Sequence, residues 1–147
     1  MQKPRMTVAE LEALLAREFP QGFGPGRPHK IEAVGPGTAR VRLQAGEAQL
    51  RPGGTVSGPA MMGLADATVY VAILAMIGPV PLTVTTHLSI NFLRKPAPGD
   101  ILAECKLLKL GKRLAVGEVT LRAEGQAEPV AHCVATYSIP PRKGDLD

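Results

Sequence analysis

The order of apolar and polar residues divides the chain into helical and extended segments, beginning with a short amphipathic helix. Thr7 followed by Glu10 forms the capping-box pattern that starts a helix, and apolar side chains then recur at helical spacing until Pro20. These apolar positions are Val8, Leu11, Leu14 and Leu15. The pattern predicts a surface helix over residues 7–19.

A second helix is predicted over residues 59–77, where the sequence PAMMGLADATVYVAILAMI is apolar on nearly every side. Pro59 stands at its start, where a missing N–H breaks no hydrogen bond, and Gly78 with Pro79 ends it. Because no face of this helix is polar, other elements must surround it. The interruption by Asp66 and the flanking Gly and Pro residues favour a core helix over a membrane span.

From residue 82 onward the hydrophobic period changes to two, which is typical of a half-buried strand. One predicted face carries Leu82, Val84, Leu88, Ile90 and Phe92, and the other carries Thr83, Thr85, His87, Ser89 and Asn91. This alternation turns Thr86 toward the helix and Thr85 toward solvent or a neighbouring subunit.

Further strand-like runs complete the predicted sheet. They lie at residues 29–34, 38–44, 100–110, 113–124 and 129–139. The four strands after the central helix, over residues 82–139, are predicted to follow one another antiparallel through short turns. The fold class is therefore α+β, with an antiparallel sheet of five to six strands wrapped around the central helix.

Composition suits a single-domain protein and leaves open a small phosphate-bearing ligand, although the positive charge is equally typical of an ordinary protein surface. Its 147 residues, 45% of them apolar, suit one domain over residues 1–147. A net charge of +4 accommodates an anionic ligand, whereas three Phe, two Tyr and no basic run disfavour nucleic acid. The N-terminus lacks the apolar core of a secretory signal, so a cytoplasmic location and no membrane attachment are expected. Cys105 and Cys133 are interpreted as small buried residues, with no disulfide or metal site.

Asp66 is the one formally charged residue between Pro52 and Leu93, and it interrupts the most apolar run of the chain. Burying an unpaired ionised carboxylate costs on the order of several kcal/mol, so its presence implies pairing or chemistry. One interpretation is structural, with Asp66 bonded to backbone groups or paired with an arginine at an interface. His87 has no Ser or Cys nucleophile motif beside it and is interpreted as a surface histidine.

Three motifs together resemble one protein family. The segment PGGTVSGPAMMGLADATVYVA holds a Gly-rich loop, the triplet Ser57-Gly58-Pro59 and, nine residues after Ser57, Asp66. The segments LSINFLRKPAPGDIL and GKRLAVGEVTLRAEG follow it. Over about residues 30–139 the chain resembles the hotdog-fold acyl-CoA thioesterases of the phenylacetate-degradation and 4-hydroxybenzoyl-CoA type. The resemblance implies a hotdog fold and hydrolysis of a small or medium acyl-CoA to free acid and CoA, with no metal and no further cofactor.

The resemblance also assigns roles to single residues. The Gly58 backbone N–H would polarise the thioester carbonyl, Asp66 would attack it or activate water, and Thr85 would orient that water. Arg51 and Ser57 would contact the substrate at positions where the family commonly has Asn and His. The cations expected to receive the CoA phosphates are Arg94, Lys95, Lys112 and Arg113.

The spacing of Gly58 and Asp66 predicts a homodimer. Eight residues of helix separate them, which is roughly 12 Å at about 1.5 Å per residue. An oxyanion donor must lie about 3 Å from the developing charge, so the two groups cannot meet within one chain. A twofold interface would bring Gly58 of one subunit to Asp66 of the other. The resemblance further implies a dimer of dimers.

Two other functions remain open at this stage. The replacements at Arg51, Ser57 and Pro59 are compatible with a hotdog dimer that binds acyl-CoA as a sensor or carrier without cleaving it. An enoyl-CoA hydratase on the same fold is disfavoured, because its closely spaced Asp and His pair is missing after the loop.

Overall fold

A computed structural model describes residues 1–142 and shows two α-helices and one six-stranded antiparallel sheet. The elements in chain order are α1 (Val8–Glu18), β1 (His29–Gly35), β2 (Thr38–Leu43), α2 (Gly58–Ile77), β3 (Val84–Phe92), β4 (Ile101–Leu110), β5 (Leu114–Ala123) and β6 (Pro129–Ser138). A short 3₁₀ turn, Glu47–Gln49, precedes α2. Residues 143–147 of the predicted domain lie outside the described residues.

Helix α1 forms where the capping box predicts it. The Thr7 side chain accepts a hydrogen bond from the Glu10 N–H, and the Glu10 carboxylate accepts one from the Thr7 N–H. The buried face consists of Leu11, Leu14 and Leu15. On its other side α1 covers an edge of the sheet, because the Glu12 carboxylate accepts the N–H of Ile31 in β1 at 2.7 Å.

The strands lie in the order β1-β2-β4-β5-β6-β3, so the prediction of four neighbouring strands after the central helix is wrong for β3. Strand β4 pairs with β2, from Thr38 opposite Lys106 to Leu43 opposite Ile101. Strand β3 is thereby displaced to the far edge, where it pairs with β6. The linking residues 93–100 contain two prolines and cross the sheet instead of forming a tight turn.

The sheet wraps around α2, which confirms the expected hotdog arrangement. Thirteen of the twenty residues of α2 are buried, as its all-round apolar sequence requires. By length and composition α2 could also cross a membrane, but 72% of its apolar window is buried inside the fold, as in a core helix. The sheet packs closely against α2 at Gly117 of β5, where a Cβ would lie 2.9 Å from Val69 Cγ1.

A bulge in β3 reverses the predicted side-chain alternation at its start. Thr85 pairs with Tyr137 of β6 and His87 with Thr136, so Thr86 is the extra residue. The prediction that Thr86 faces the helix is therefore wrong, since Thr86 is exposed. Thr85 instead faces inward with Leu88, because the bulge shifts the register by one residue.

Candidate active site

Asp66 lies midway along α2, half-buried, beneath the bulged end of β3. Its Oδ1 atom accepts a hydrogen bond from the Thr85 hydroxyl at 2.7 Å and another from the Tyr137 hydroxyl at 2.6 Å. The predicted pair of Asp66 and Thr85 is thus in direct contact. The contact exists only because the β3 bulge turns Thr85 inward.

Tyr137 is the residue that sequence reasoning missed. It lies on the inner face of β6, whose other inward positions, Ala131, Cys133 and Ala135, are small. A buried tyrosine needs a partner for its hydroxyl, so the alternation of β6 carried a signal that Tyr137 reaches a polar group of the core. Its partner could not be named without the fold.

A cavity of about 300 Å³ opens beside Asp66, and we call it the Asp66 cavity. Its walls include Phe19, Gly63, Ala67, Tyr70, Pro81, Val84, Thr85 and Tyr137. His29 and Thr83 also line it, and neither His29 Nδ1 nor Thr83 Oγ1 has a hydrogen-bond partner among the described residues. Burial lowers the pKa of His29, which therefore favours the neutral imidazole. The Asp66 cavity is therefore a mostly apolar pocket with the Asp66 carboxylate in its wall.

The first turn of α2 leaves one N–H group available, that of Gly58. Ser57 caps the helix by accepting the Ala60 N–H on its hydroxyl at 3.2 Å and the Met61 N–H on its carbonyl at 3.1 Å. Pro59 has no N–H. In the described part of the chain no group accepts the Gly58 N–H, so the positive end of the helix dipole presents one donor there.

Ser57 is the N-cap of α2, a role other than the substrate contact that the resemblance implied, although serine before a helix that starts with Gly-Pro is a typical N-cap signal. Its own N–H donates to the Gln49 carbonyl at 2.8 Å, which ties the preceding loop to the helix start. The residue thus fixes the orientation of Gly58 beside it.

A second cavity, of about 430 Å³, lies at the start of α2, and we call it the Gly58 cavity. It brings together four of the residues assigned to substrate by resemblance, namely Arg51, Gly58, Arg94 and Lys95. Thr55 lines the same cavity, and its buried hydroxyl has no partner among residues 1–142. Arg94 is partly engaged, because it donates to the Pro129 carbonyl and pairs with Glu128 at 3.3 Å.

Lys112 and Arg113 lie away from these residues, in the turn between β4 and β5. Lys112 lines a surface depression with Ile77, the last residue of α2. Gly58 begins the same helix 19 residues earlier, which is roughly 28 Å away at about 1.5 Å per residue. Within one chain, therefore, the two cations do not join the Gly58 cavity.

Both cysteines are buried and free, as the sequence predicted. Burial raises the pKa of the Cys105 thiol to about 12. Burial, with a smaller contribution from the charge of Asp66, raises the pKa of Cys133 to about 11. Neither thiol is therefore a nucleophile at neutral pH.

Solved structures resemble this chain along most of its length. A protein from Silicibacter sp. TM1040, described as a candidate thioesterase, is 46% identical, with 94% of each chain covered and a TM-score of 0.86. The phenylacetic acid degradation protein PaaI of Thermus thermophilus, solved as a point mutant, is 25% identical over 76% of this chain and 93% of its own, with a TM-score of 0.66.

A third structure, a hypothetical thioesterase of Streptococcus pneumoniae solved with coenzyme A, shares the fold. It is 17% identical over 78% of this chain and 87% of its own, with a TM-score of 0.68. No curated protein sequence matches the chain.

The model of the Thioesterase superfamily matches residues 53–130, which include the residues just before α2, all of α2 and strands β3 to β5. The matched region thus contains Gly58 at the start of α2, the Asp66 carboxylate, and Thr85, whose hydroxyl donates to that carboxylate. The chain is a hotdog-fold member of the Thioesterase superfamily.

Proposed function

We propose that this protein is an acyl-CoA thioesterase that hydrolyses a small or medium acyl-CoA to the free acid and CoA. The observation that carries the proposal is Asp66, a half-buried carboxylate held by two hydroxyl groups at the wall of an apolar cavity. A carboxylate placed in this way can act as a nucleophile or a general base.

The acyl group would occupy the Asp66 cavity. Its volume of about 300 Å³ lies at the lower end of the range for ligand sites, which suits a small or medium acyl chain. The CoA portion would lie along the Gly58 cavity, where the cationic side chains of Arg51, Arg94 and Lys95 suit phosphate groups. Lys112 and Arg113 would contact the CoA phosphates at this cavity only if they came from a different subunit. The Streptococcus pneumoniae neighbour, solved with coenzyme A, supports a ligand of this class.

The reaction needs an oxyanion donor and a carboxylate on the same thioester. The Gly58 N–H would stabilise the charge on the carbonyl oxygen. Asp66 would take a proton from water while the water oxygen bonds to the carbonyl carbon, and the C–S bond then breaks with the proton passing to the CoA sulfur. Alternatively, Asp66 itself bonds to that carbon, the C–S bond breaks and CoA leaves as the thiolate, which takes up a proton. Water then attacks the Asp66 carboxyl carbon of the resulting mixed anhydride, which releases the free acid and restores the carboxylate. Isotope-labelled water in a single turnover separates the two routes, because only the second places label in the enzyme.

A homodimer would assemble this site, since Gly58 and Asp66 are eight residues apart on one helix. The two edges of the sheet differ in a way that supports it. α1 covers β1 through Glu12, whereas β3 is the other edge and carries exposed apolar side chains. Open, apolar strand edges favour pairing with another chain. We propose β3 as the dimer contact, a dimer of dimers as the assembly, and the cytoplasm as the location.

The alternative is an acyl-CoA-binding hotdog dimer that does not hydrolyse its ligand. Ser57 favours it, because a helix cap stands where the family commonly has His. Calorimetric binding of an acyl-CoA without release of CoA would support this alternative.

The test is CoA release from a panel of acyl-CoA thioesters, followed with a thiol reagent. The buried thiols of Cys105 and Cys133 should not interfere, given their raised pKa values of about 12 and about 11. Asp66→Asn and Asp66→Ala should lower kcat about 100- to 10,000-fold, since they remove the base or nucleophile. Glu104→Gln, on the outer face of β4, is the matched control and should retain parent activity. Unchanged turnover in both Asp66 variants would exclude the proposed mechanism.

A further inference from the structure

Tyr137 contacts Asp66 twice. Its hydroxyl lies 2.6 Å from Asp66 Oδ1 and 2.8 Å from the Asp66 backbone carbonyl oxygen. A phenol has one proton to donate, and an ionised carboxylate is the stronger acceptor, so the bond to Oδ1 forms when Asp66 is charged.

The phenol ring is held in place by burial and by stacking on Tyr70. Tyr137 is 3% exposed, and its ring stacks on that of Tyr70 with centroids 6.0 Å apart. Tyr70 is fixed in turn, because its hydroxyl donates to the Pro81 carbonyl at 2.7 Å. The Tyr137 hydroxyl therefore cannot swing away from Asp66 without disturbing this stack.

The two hydroxyl bonds make the oxygens of Asp66 unequal. Thr85 and Tyr137 both donate to Oδ1, and among residues 1–142 no hydrogen bond ends on Oδ2. The occupied oxygen is anchored, and the other is left for chemistry. From this geometry we infer that Tyr137 is a positioning residue of the thioesterase reaction, which holds Asp66 by Oδ1 so that Oδ2 is the reacting oxygen. The inference rests on the proposed function.

Tyr137 is suited to this role because it stays protonated. Burial, together with the negative charge of Asp66, raises the pKa of Tyr137 far above its usual range. The hydroxyl is therefore a donor at every pH at which the protein would work. The nearby carbonyl of Asp66 gives it a second acceptor, so Asp66 can take up a proton during the reaction without leaving the buried hydroxyl unpaired.

Kinetics of the Tyr137→Phe variant distinguish a tyrosine that only stabilises the fold from one that orients Asp66. Tyr137→Phe removes one oxygen atom and keeps the stacked ring. If Tyr137 orients Asp66, this variant should lower kcat about 10- to 100-fold with KM changed less than about threefold, because misplacing a reacting group affects the chemical step. Parent kcat in a folded Tyr137→Phe protein would overturn the inference.

The second measurement uses Asp66→Asn, which removes the group through which Tyr137 acts. In long incubations, Tyr137→Phe should not lower the residual turnover of Asp66→Asn further. In this double variant both partners are changed, so no buried charge is left unpaired and the protein should fold. An equal loss in both backgrounds would show that Tyr137 acts independently of Asp66 and would overturn the inference.

These outcomes separate the inference from the proposed function. If the parent protein is active and its turnover depends on Asp66 but not on Tyr137, only the inference about Tyr137 is contradicted. If the parent protein releases CoA from none of the thioesters, both the proposed function and the inference that rests on it are contradicted.

Discussion

Thr85 Oγ1 lies 2.7 Å from Asp66 Oδ1, and it does so because Thr86 is the extra residue of a bulge in β3. In a regular strand with the predicted alternation, Thr85 would face away from the helix. The bulge thus places a hydroxyl on the carboxylate of α2. Bulges are common beside active sites, where the extra residue changes the face of the strand on which a side chain lies.

This contact predicts that the hydroxyl of Thr85, more than its shape, supports turnover. Thr85→Val keeps the shape and should lower kcat about 10-fold, because Asp66 loses one of two bonds that orient it. Thr85→Ser keeps the hydroxyl and should recover most of the loss. The matched control is Thr136→Val on the outer face of β6, which should have parent kcat. Steady-state kinetics on the best thioester of the panel would decide, and equal activity of Val and Ser variants at position 85 would contradict the prediction.

Complementation between two inactive variants tests the shared site. Gly58→Pro removes the one N–H available at the start of α2, and the extended backbone of Ser57 before it (φ −73°, ψ 156°) accepts a following proline. Mixed by unfolding and refolding with Asp66→Asn, it should restore about a quarter of parent activity. Random pairing makes half of the dimers mixed, and in each of these one of the two sites has both the Gly58 N–H and the Asp66 carboxylate. A quarter of all sites is therefore intact.

Gly58→Ala is the control for this experiment, since it keeps the N–H. The added Cβ would lie 3.4 Å from the Phe92 ring, an ordinary contact, so this variant should lose far less turnover than Gly58→Pro. A mixture with no more activity than its components would contradict a site built from two subunits.

Gly117 leaves no room for a side chain between β5 and the central helix. Gly117→Ala should destabilise the protein by about 1–3 kcal/mol, because its Cβ would lie 2.9 Å from Val69 Cγ1 and 3.2 Å from Cys105 Sγ. In a Val69→Ala background the penalty should shrink, since the clashing methyl groups are gone. Urea unfolding of the four proteins measures this coupling, and an identical penalty in both backgrounds would show that Val69 is not the obstacle.

Arg42 joins three acidic side chains and predicts a pH-dependent stability. It pairs with Glu32 at 2.6 Å, Asp100 at 3.1 Å and Glu124 at 2.8 Å, linking β1, β2 and the segments around β4 and β5. Its hydrogen bond lowers the pKa of Glu32 from the ordinary value of 4.5. Arg42→Met should reduce the free energy of unfolding by about 1–2 kcal/mol at neutral pH.

The sign of the pH effect follows from the lowered pKa of Glu32. The pairing stabilises the fold fully above pH 4.5, where Glu32 is ionised in both states, and is lost as the pH falls through its lower folded pKa. The difference between parent and Arg42→Met should therefore shrink in acid, as urea unfolding over a pH series would show. Arg17→Met, at an exposed pair 3.8 Å apart, should change stability by less than about 0.5 kcal/mol at any pH. A difference that is constant with pH would contradict the pairing with Glu32.

The amino-acid sequence by itself determined the helices and the identity of the central carboxylate. The capping box of Thr7 and Glu10, and the all-round apolar run that must be enclosed, are local properties of the chain. The motif from Gly58 to Asp66 lies within one helix, so its spacing also follows from sequence. That is why the helices were predicted correctly, whereas the hotdog class followed from the resemblance of the motifs to a known family.

Only the tertiary structure decided which side chains reach that carboxylate. The position of β3 beside β6 depends on β4 taking the place next to β2, a pairing between residues far apart in the chain. The bulge at Thr86 is set by the partner strand, and a shift of one residue exchanges the two faces. Tyr137 comes to Asp66 from 71 residues away, across the packed interior. Such contacts arise from how the sheet closes on the helix, which the spacing of residues along the chain does not record.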